Sequence, residues 1–234
     1  MAEKRSQRAA RPVVIASSRP WNRDLSRRIS AATGRKVVAI TDPSELTADR
    51  LAKIAPEYVF FPHWSHIIKS DVYQSFACVI FHMTDLPYGR GGSPLQNLIV
   101  RGHTTTKISA LKCVKDLDAG PIYLKRDLSL QGTAEEIFIR ADTVIEGMIK
   151  DMIAKSLKAR PQRGQPVLFK RRTPADGTLE PAVSLDQVFD LIRMLDGEGY
   201  PPAFLEVGKL RLEFTRASRK VGAVVADVRI TIPK

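Results

Sequence analysis

Short apolar runs alternate along the chain with stretches whose apolar positions recur every three or four residues. The two periods divide it into strands and helices. Val13–Ala16, Val37–Thr41, Tyr58–Phe61 and Cys78–Phe81 are continuous apolar runs, the pattern of strands covered on both faces of a sheet. Between them, Asn22–Ala32 and Ser44–Ile54 read as helices, the first followed by Gly34 as a C-terminal cap and the second closed by Pro56. Pro94 suits the first turn of a helix running to about Val100. Lys107–Val114 and Ile122–Leu130 read as strands. Thr133 and Glu136 then form a capping box for a long helix to about Leu157. Its stripe of Ile137, Ala141, Val144, Ile145, Met148 and Met152 falls at helical spacing and faces a core.

The segment Ala159–Pro166, rich in Pro, Gly and basic residues, reads as a linker. Beyond it, Ser184 and Gln187 box a helix through Met194. Gly197, Gly199, Pro201 and Pro202 break the chain, and Phe204–Val207, Leu210–Phe214 and Val224–Ile232 read as strands. The alternation predicts an α/β fold with a mostly parallel sheet, plus a small C-terminal subdomain of helix and strands. The expected division is a disordered basic tail over 1–11, a main domain over 12–160 and the small subdomain over 166–234.

Composition narrows this picture. The 234 residues suffice for one sizeable core. No apolar run approaches the roughly 20 residues of a membrane span. Lys4, Arg5, Arg8 and Arg11 lead the chain without an apolar stretch, which is not a secretory signal. Cys78 and Cys113 sit in apolar segments and read as buried free thiols, so a cytoplasmic location is expected. The net charge of +12 favours phosphate-bearing partners without telling RNA from a nucleotide.

Candidate chemistry gathers at two places. His82 opens His-Met-Thr-Asp-Leu-Pro-Tyr-Gly-Arg-Gly-Gly-Ser-Pro-Leu, and Asp118 sits in Asp-Leu-Asp-Ala-Gly-Pro-Ile. An imidazole moves protons near neutral pH, and a carboxylate beside it fixes its tautomer and stabilises its charged form. The glycines between them allow backbone to approach a ligand closely. The pattern His-x-x-x-Leu-Pro-x-x-Arg-Gly-x-x-Pro-Leu, carried by His82, Leu86, Pro87, Arg90, Gly91, Pro94 and Leu95, resembles the signature of folate-dependent formyltransferases. Asp118, Gly120 and Ile122 match its second motif, Asp-x-Gly-x-Ile.

The resemblance, which runs from Val13 to about Thr215, implies a Rossmann-like formyltransferase fold and 10-formyltetrahydrofolate as co-substrate. It implies that His82 is the general base or proton shuttle for an attacking amine and that Asp118 pairs with it. It also implies that His66, Ile67 and Ile68 line a folate pocket largely through backbone groups, facing Val114, Lys115, Asp116 and Leu117. No metal is expected: His63 and His66 lack a third ligand at a recognisable spacing. One departure stands out. Most family members carry Asn two residues before the His, where its amide polarises the formyl oxygen; here that residue is Ile80. Thr84, Asn97 and His66 are candidates to replace it.

Three readings compete. Ser17–Asn22 and Phe81–Pro87 look most like formyltransferases of pseudaminic-acid-type pathways, which predicts transfer to the amine of a nucleotide-linked, UDP-type 4-amino sugar. Methionyl-tRNA formyltransferase is the alternative. About 70 residues follow the linker where such enzymes usually carry a full C-terminal barrel, so a nucleotide sugar rather than nucleic acid is the expected partner. A folate-binding homologue without activity is the third, suggested by Ile80. Related sugar enzymes are often dimers, which implies a homodimer.

Overall fold

The computed structural model describes residues 10–17, 19, 22–155 and 157–233. Most of the basic N-terminal tail, and Ser18, Pro20 and Trp21 of the Ser17–Asn22 segment, lie outside these. The chain divides into two compact units. One is formed by the described residues of Met1–His82, Ser109–Arg126 and Asp142–Arg163, the other by those of Met83–Ile108, Asp127–Ala141 and Gly164–Lys234.

The apolar runs become a six-stranded sheet of order β2-β1-β3-β4-β6-β7. Its strands are β1 (Val13–Ala16), β2 (Val37–Ile40), β3 (Val59–Phe61), β4 (Cys78–His82), β6 (Thr105–Lys112) and β7 (Ile122–Ser129). The first four run parallel, and β6 lies antiparallel to β4 with His82 opposite Ser109. The fold is thus mixed α/β around a mostly parallel sheet, as the sequence predicts. Val13, Val14, Ile15, Val59, Phe60, Phe61, Cys78 and Val79 are buried, as strands covered on both faces require.

The helices are α1 (Leu25–Thr33), α2 (Ala48–Ile54), α3 (Ser70–Ser75), α4 (Pro94–Ile99), α5 (Ala134–Ala154) and α6 (Leu185–Arg193). Gly34 caps α1 in the left-handed conformation, its N–H donating to the Ser30 carbonyl. The Thr133–Glu136 box closes in both directions: Thr133 N donates to Glu136 Oε2, and Glu136 N to Thr133 Oγ1. Ile137, Ala141, Ile145, Met148 and Met152 are buried on α5, and Val144 half-buried. At α6, Gln187 N donates to Ser184 Oγ while its side chain accepts from Val183 N.

The C-terminal part supplies an antiparallel sheet of β9 (Ala203–Val207), β10 (Leu210–Lys220) and β11 (Ala223–Thr231), in the order β11-β10-β9. It packs with α6 through Leu179, Ile192 and Ala203. The β10 strand runs six residues past the predicted Phe214, carried by pairing with β11 across a shift between Thr215 and Ser218. Two short strands were not predicted: β5 (Tyr88–Gly91) and β8 (Val167–Phe169) pair in parallel.

Candidate functional site

Alternation along β4 puts Cys78, Ile80 and His82 on one face of the sheet. His82 ends the strand, at the carboxyl edge of the parallel strands where open α/β sheets bind ligands. Its side chain is 8% exposed, and its Nδ1 lies 3.5 Å from Oδ2 of Asp118, itself 7% exposed. Residues 36 positions apart in sequence thus form one buried imidazole–carboxylate pair.

Asp118 reaches His82 from the loop between β6 and β7. Its φ of +52° is left-handed, a conformation Asp tolerates better than most residues. The loop folds tightly on β6: Lys112 N donates to the Pro121 carbonyl at 2.8 Å, and Ala119 N to that of Asp116. A side chain at Gly120 would place its Cβ 1.8 Å from the Lys112 carbonyl oxygen, so only glycine fits there. The supposed linker holds this loop. Arg160 and Ile122 exchange two backbone hydrogen bonds, of 2.8 and 2.9 Å. Gln162 Nε2 donates to the carbonyls of Asp118 at 2.7 Å and Gly120 at 2.9 Å. Nothing in the sequence singles out Gln162, which sits among basic, Pro and Gly residues.

Burial pushes the Cys78 thiol up to about 12, with the neighbouring Cys113 adding to it. Cys113 rises to about 11, from burial first and then the Asp118 charge. Both thiols are free and buried. Ile80 packs half-buried against a core cluster that includes Phe61, Ile68 and Cys113, with Trp64 beside it. Ile68 of the first expected pocket segment and Cys113, which precedes the second, belong to that one apolar cluster. Ile68 is buried in that cluster, while Ile67 and Leu117 are 94% and 70% exposed. His66 is exposed, its ring edge-on to Trp64 at 5.2 Å, and Lys115 and Asp116 are exposed. The indole N–H of Trp64 is buried with no hydrogen-bond partner among the described residues. Burial, then the charge of Arg19, pushes the His63 imidazole down to about 4. Among the described residues no group of three or more His, Cys, Asp or Glu could hold a metal.

Of the groups weighed to replace the missing Asn, Asn97 spends its amide on the carbonyls of Gly92 and Lys170. The buried Thr84 hydroxyl donates to the Gly89 carbonyl at 3.4 Å. In the second unit a cavity of about 750 Å³ is lined by Asp85, Tyr88, His103 and Lys107 among others. It holds an Asp85–Lys107 ion pair at 3.2 Å and a Tyr88–His103 contact at 3.1 Å.

Comparison with known proteins corrects the substrate expectation. Residues 174–231 match the model of the methionyl-tRNA formyltransferase C-terminal domain. A methionyl-tRNA formyltransferase from Clavibacter michiganensis is 30% identical over 152 residues, covering 62% of this chain and 49% of its own length, so the chain spans about half of that relative. The solved methionyl-tRNA formyltransferase from Clostridium thermocellum is 47% identical, covering 95% of this chain and 99% of that one, with a TM-score of 0.92. A sugar N-formyltransferase from Shewanella shares the fold alone, at 15% identity and a TM-score of 0.66 over 92% of this chain and 96% of that one. These findings overturn the nucleotide-sugar reading and its pseudaminic-type refinement. The short C-terminal part is nevertheless that of a tRNA-enzyme domain: its helix and three strands are what the domain model matches. At 47% identity over nearly the whole of both chains, this chain belongs to the methionyl-tRNA formyltransferase family.

Proposed function

We propose that the chain transfers a formyl group from 10-formyltetrahydrofolate to the amino group of methionyl-tRNA. The observation that carries this reading is the near full-length likeness to a methionyl-tRNA formyltransferase. The buried His82–Asp118 pair supplies the chemistry. With Asp118 against Nδ1, the neutral imidazole carries its lone pair on Nε2. That nitrogen takes the proton the amine loses as its bond to the formyl carbon forms, and returns it to the folate nitrogen as the bond from that nitrogen to the formyl carbon breaks and tetrahydrofolate leaves. Asp118 then faces an imidazolium, which its carboxylate stabilises. Such general base catalysis contributes roughly 10²–10⁴-fold.

The formyl donor, when bound, supplies an activated one-carbon unit. The residues present fit it. Ile67 and Leu117 offer exposed apolar surface, Ile68 and Cys113 beside them share the cluster on which Ile80 packs, and Trp64 adds an N–H with no partner among the described residues. A flat ring with many donors and acceptors suits backbone groups set among such side chains. Ile80 gives the formyl oxygen no donor, a loss of about 2.7–4 kcal/mol in transition-state stabilisation. Slower turnover than in a relative that keeps the Asn is therefore expected. The charge of +12 suits a polyanion such as tRNA.

The test is to incubate the chain with 10-formyltetrahydrofolate and methionine-charged initiator tRNA. Formylmethionyl-tRNA is expected. Folate binding without that product, at high enzyme concentration, would overturn the reading in favour of a non-catalytic folate-binding homologue.

A further inference from the structure

We infer that Gln162 is a positioning residue that holds Asp118 against His82; the inference rests on the roles proposed above for that pair. Asp118 has to be held because its backbone is left-handed, a conformation that costs a non-glycine residue energy and persists only where the surroundings enforce it. The enforcement comes from residues 160–162. Arg160 pins Ile122, the first residue of β7, with two backbone hydrogen bonds. Two residues on, the Gln162 amide donates to the carbonyls on either side of Ala119, at 2.7 and 2.9 Å. Two carbonyl oxygens at those distances can be met only by the NH₂ end of the amide, since its oxygen would repel both. The two bonds fix the peptide planes that follow Asp118 and Gly120, and so fix the direction in which the Asp118 side chain leaves the loop. Gly120 adds a rigid anvil, lying directly on the Lys112 carbonyl. The segment that composition marks as a linker therefore acts as a strap across the carboxylate loop.

Two variants and one double variant separate positioning from mere support. Gln162→Ala removes the donors; Gln162→Glu keeps the shape and sets a charged acceptor against two carbonyls. Each is expected to lower kcat by about 10–100-fold, as misplacing a reacting group by roughly 1 Å does, with KM for the folate little changed. In an Asp118→Asn background, Gln162→Ala costs less than twofold more, since it acts through a carboxylate already gone.

Proton NMR supplies an arm that needs no substrate. The intact chain is expected to show a downfield His82 Nδ1–H signal that Asp118→Asn, Gln162→Ala and Gln162→Glu all remove while the rest of the spectrum stays folded. If the intact chain formylates nothing, the functional reading fails and the NMR arm still decides the role of Gln162. If the signal survives in both Gln162 variants, or the kcat losses multiply in the double variant, Gln162 does not position Asp118.

Discussion

Ile80 stands two residues ahead of His82 on the same face of β4, where the family pattern calls for an amide. Its side chain packs on the apolar cluster containing Phe61, Ile68 and Cys113. The departure is therefore built into the core rather than left as a gap. Ile80→Asn would place an amide among apolar groups, and a loss of about 1–3 kcal/mol is expected from chemical denaturation. Unchanged stability would mean that the amide finds partners there. His82 and Asp118 differ from Ile80 in being buried polar groups that meet each other, so replacing either by an uncharged amide should spare the fold and stop the chemistry. His82→Asn and Asp118→Asn are each expected to reduce kcat by at least about 100-fold with little change in melting temperature. A rate within a few-fold of the intact chain in either variant would remove that residue from the mechanism.

At the scale of elements, helix α5 is tied to α1 by charge as well as by its apolar stripe. Arg28 bonds Asp142 and Glu146, each at 2.6 Å, and Asn22 also donates to Asp142. Burial pushes the Asp142 carboxyl up from 3.8 to about 6, against the opposing pull of Arg28. Between about pH 4 and 6 the folded state then holds a proton that the unfolded chain has released. This group's contribution is thus complete below its unfolded value and is lost as pH rises through about 6. Urea denaturation between pH 4 and 7 should show that slope, and Asp142→Asn should flatten it. A slope that survives the substitution belongs to another group.

Much at this scale was legible in the sequence. The β1 strand, the Thr133 box and the Gly34 cap follow from local rules that depend on a few neighbouring residues. The pairing of β5 with β8 was not legible, because it joins a glycine-rich run to a segment nearly 80 residues away and neither has a period of its own. The strap at Arg160–Gln162 was missed for the same reason: its meaning lies in what it crosses. His82 and Asp118 were legible as motif residues, but their 3.5 Å approach comes from the turn at Gly120, which spacing alone does not encode.

For the whole molecule, the substrate was the part misread. The length after Pro166 speaks against a full barrel, but residue number says little about which partner a small domain serves. The charge of +12 was compatible with either partner and decided nothing. With tRNA as the partner, it carries a definite expectation. Each phosphate neutralised by Lys or Arg releases counterions, so the logarithm of affinity should fall against that of salt with a slope steeper than about −3. A flat dependence would mean that the basic surface serves something else.

The most direct test of the account is a mass measurement on the amino acid released from initiator tRNA after reaction with 10-formyltetrahydrofolate. Paired reactions would use the intact chain and Asp118→Asn. Formylmethionine from the intact chain, and almost none from the variant, is the predicted result. Unmodified methionine from both, or equal formylation by both, would contradict it.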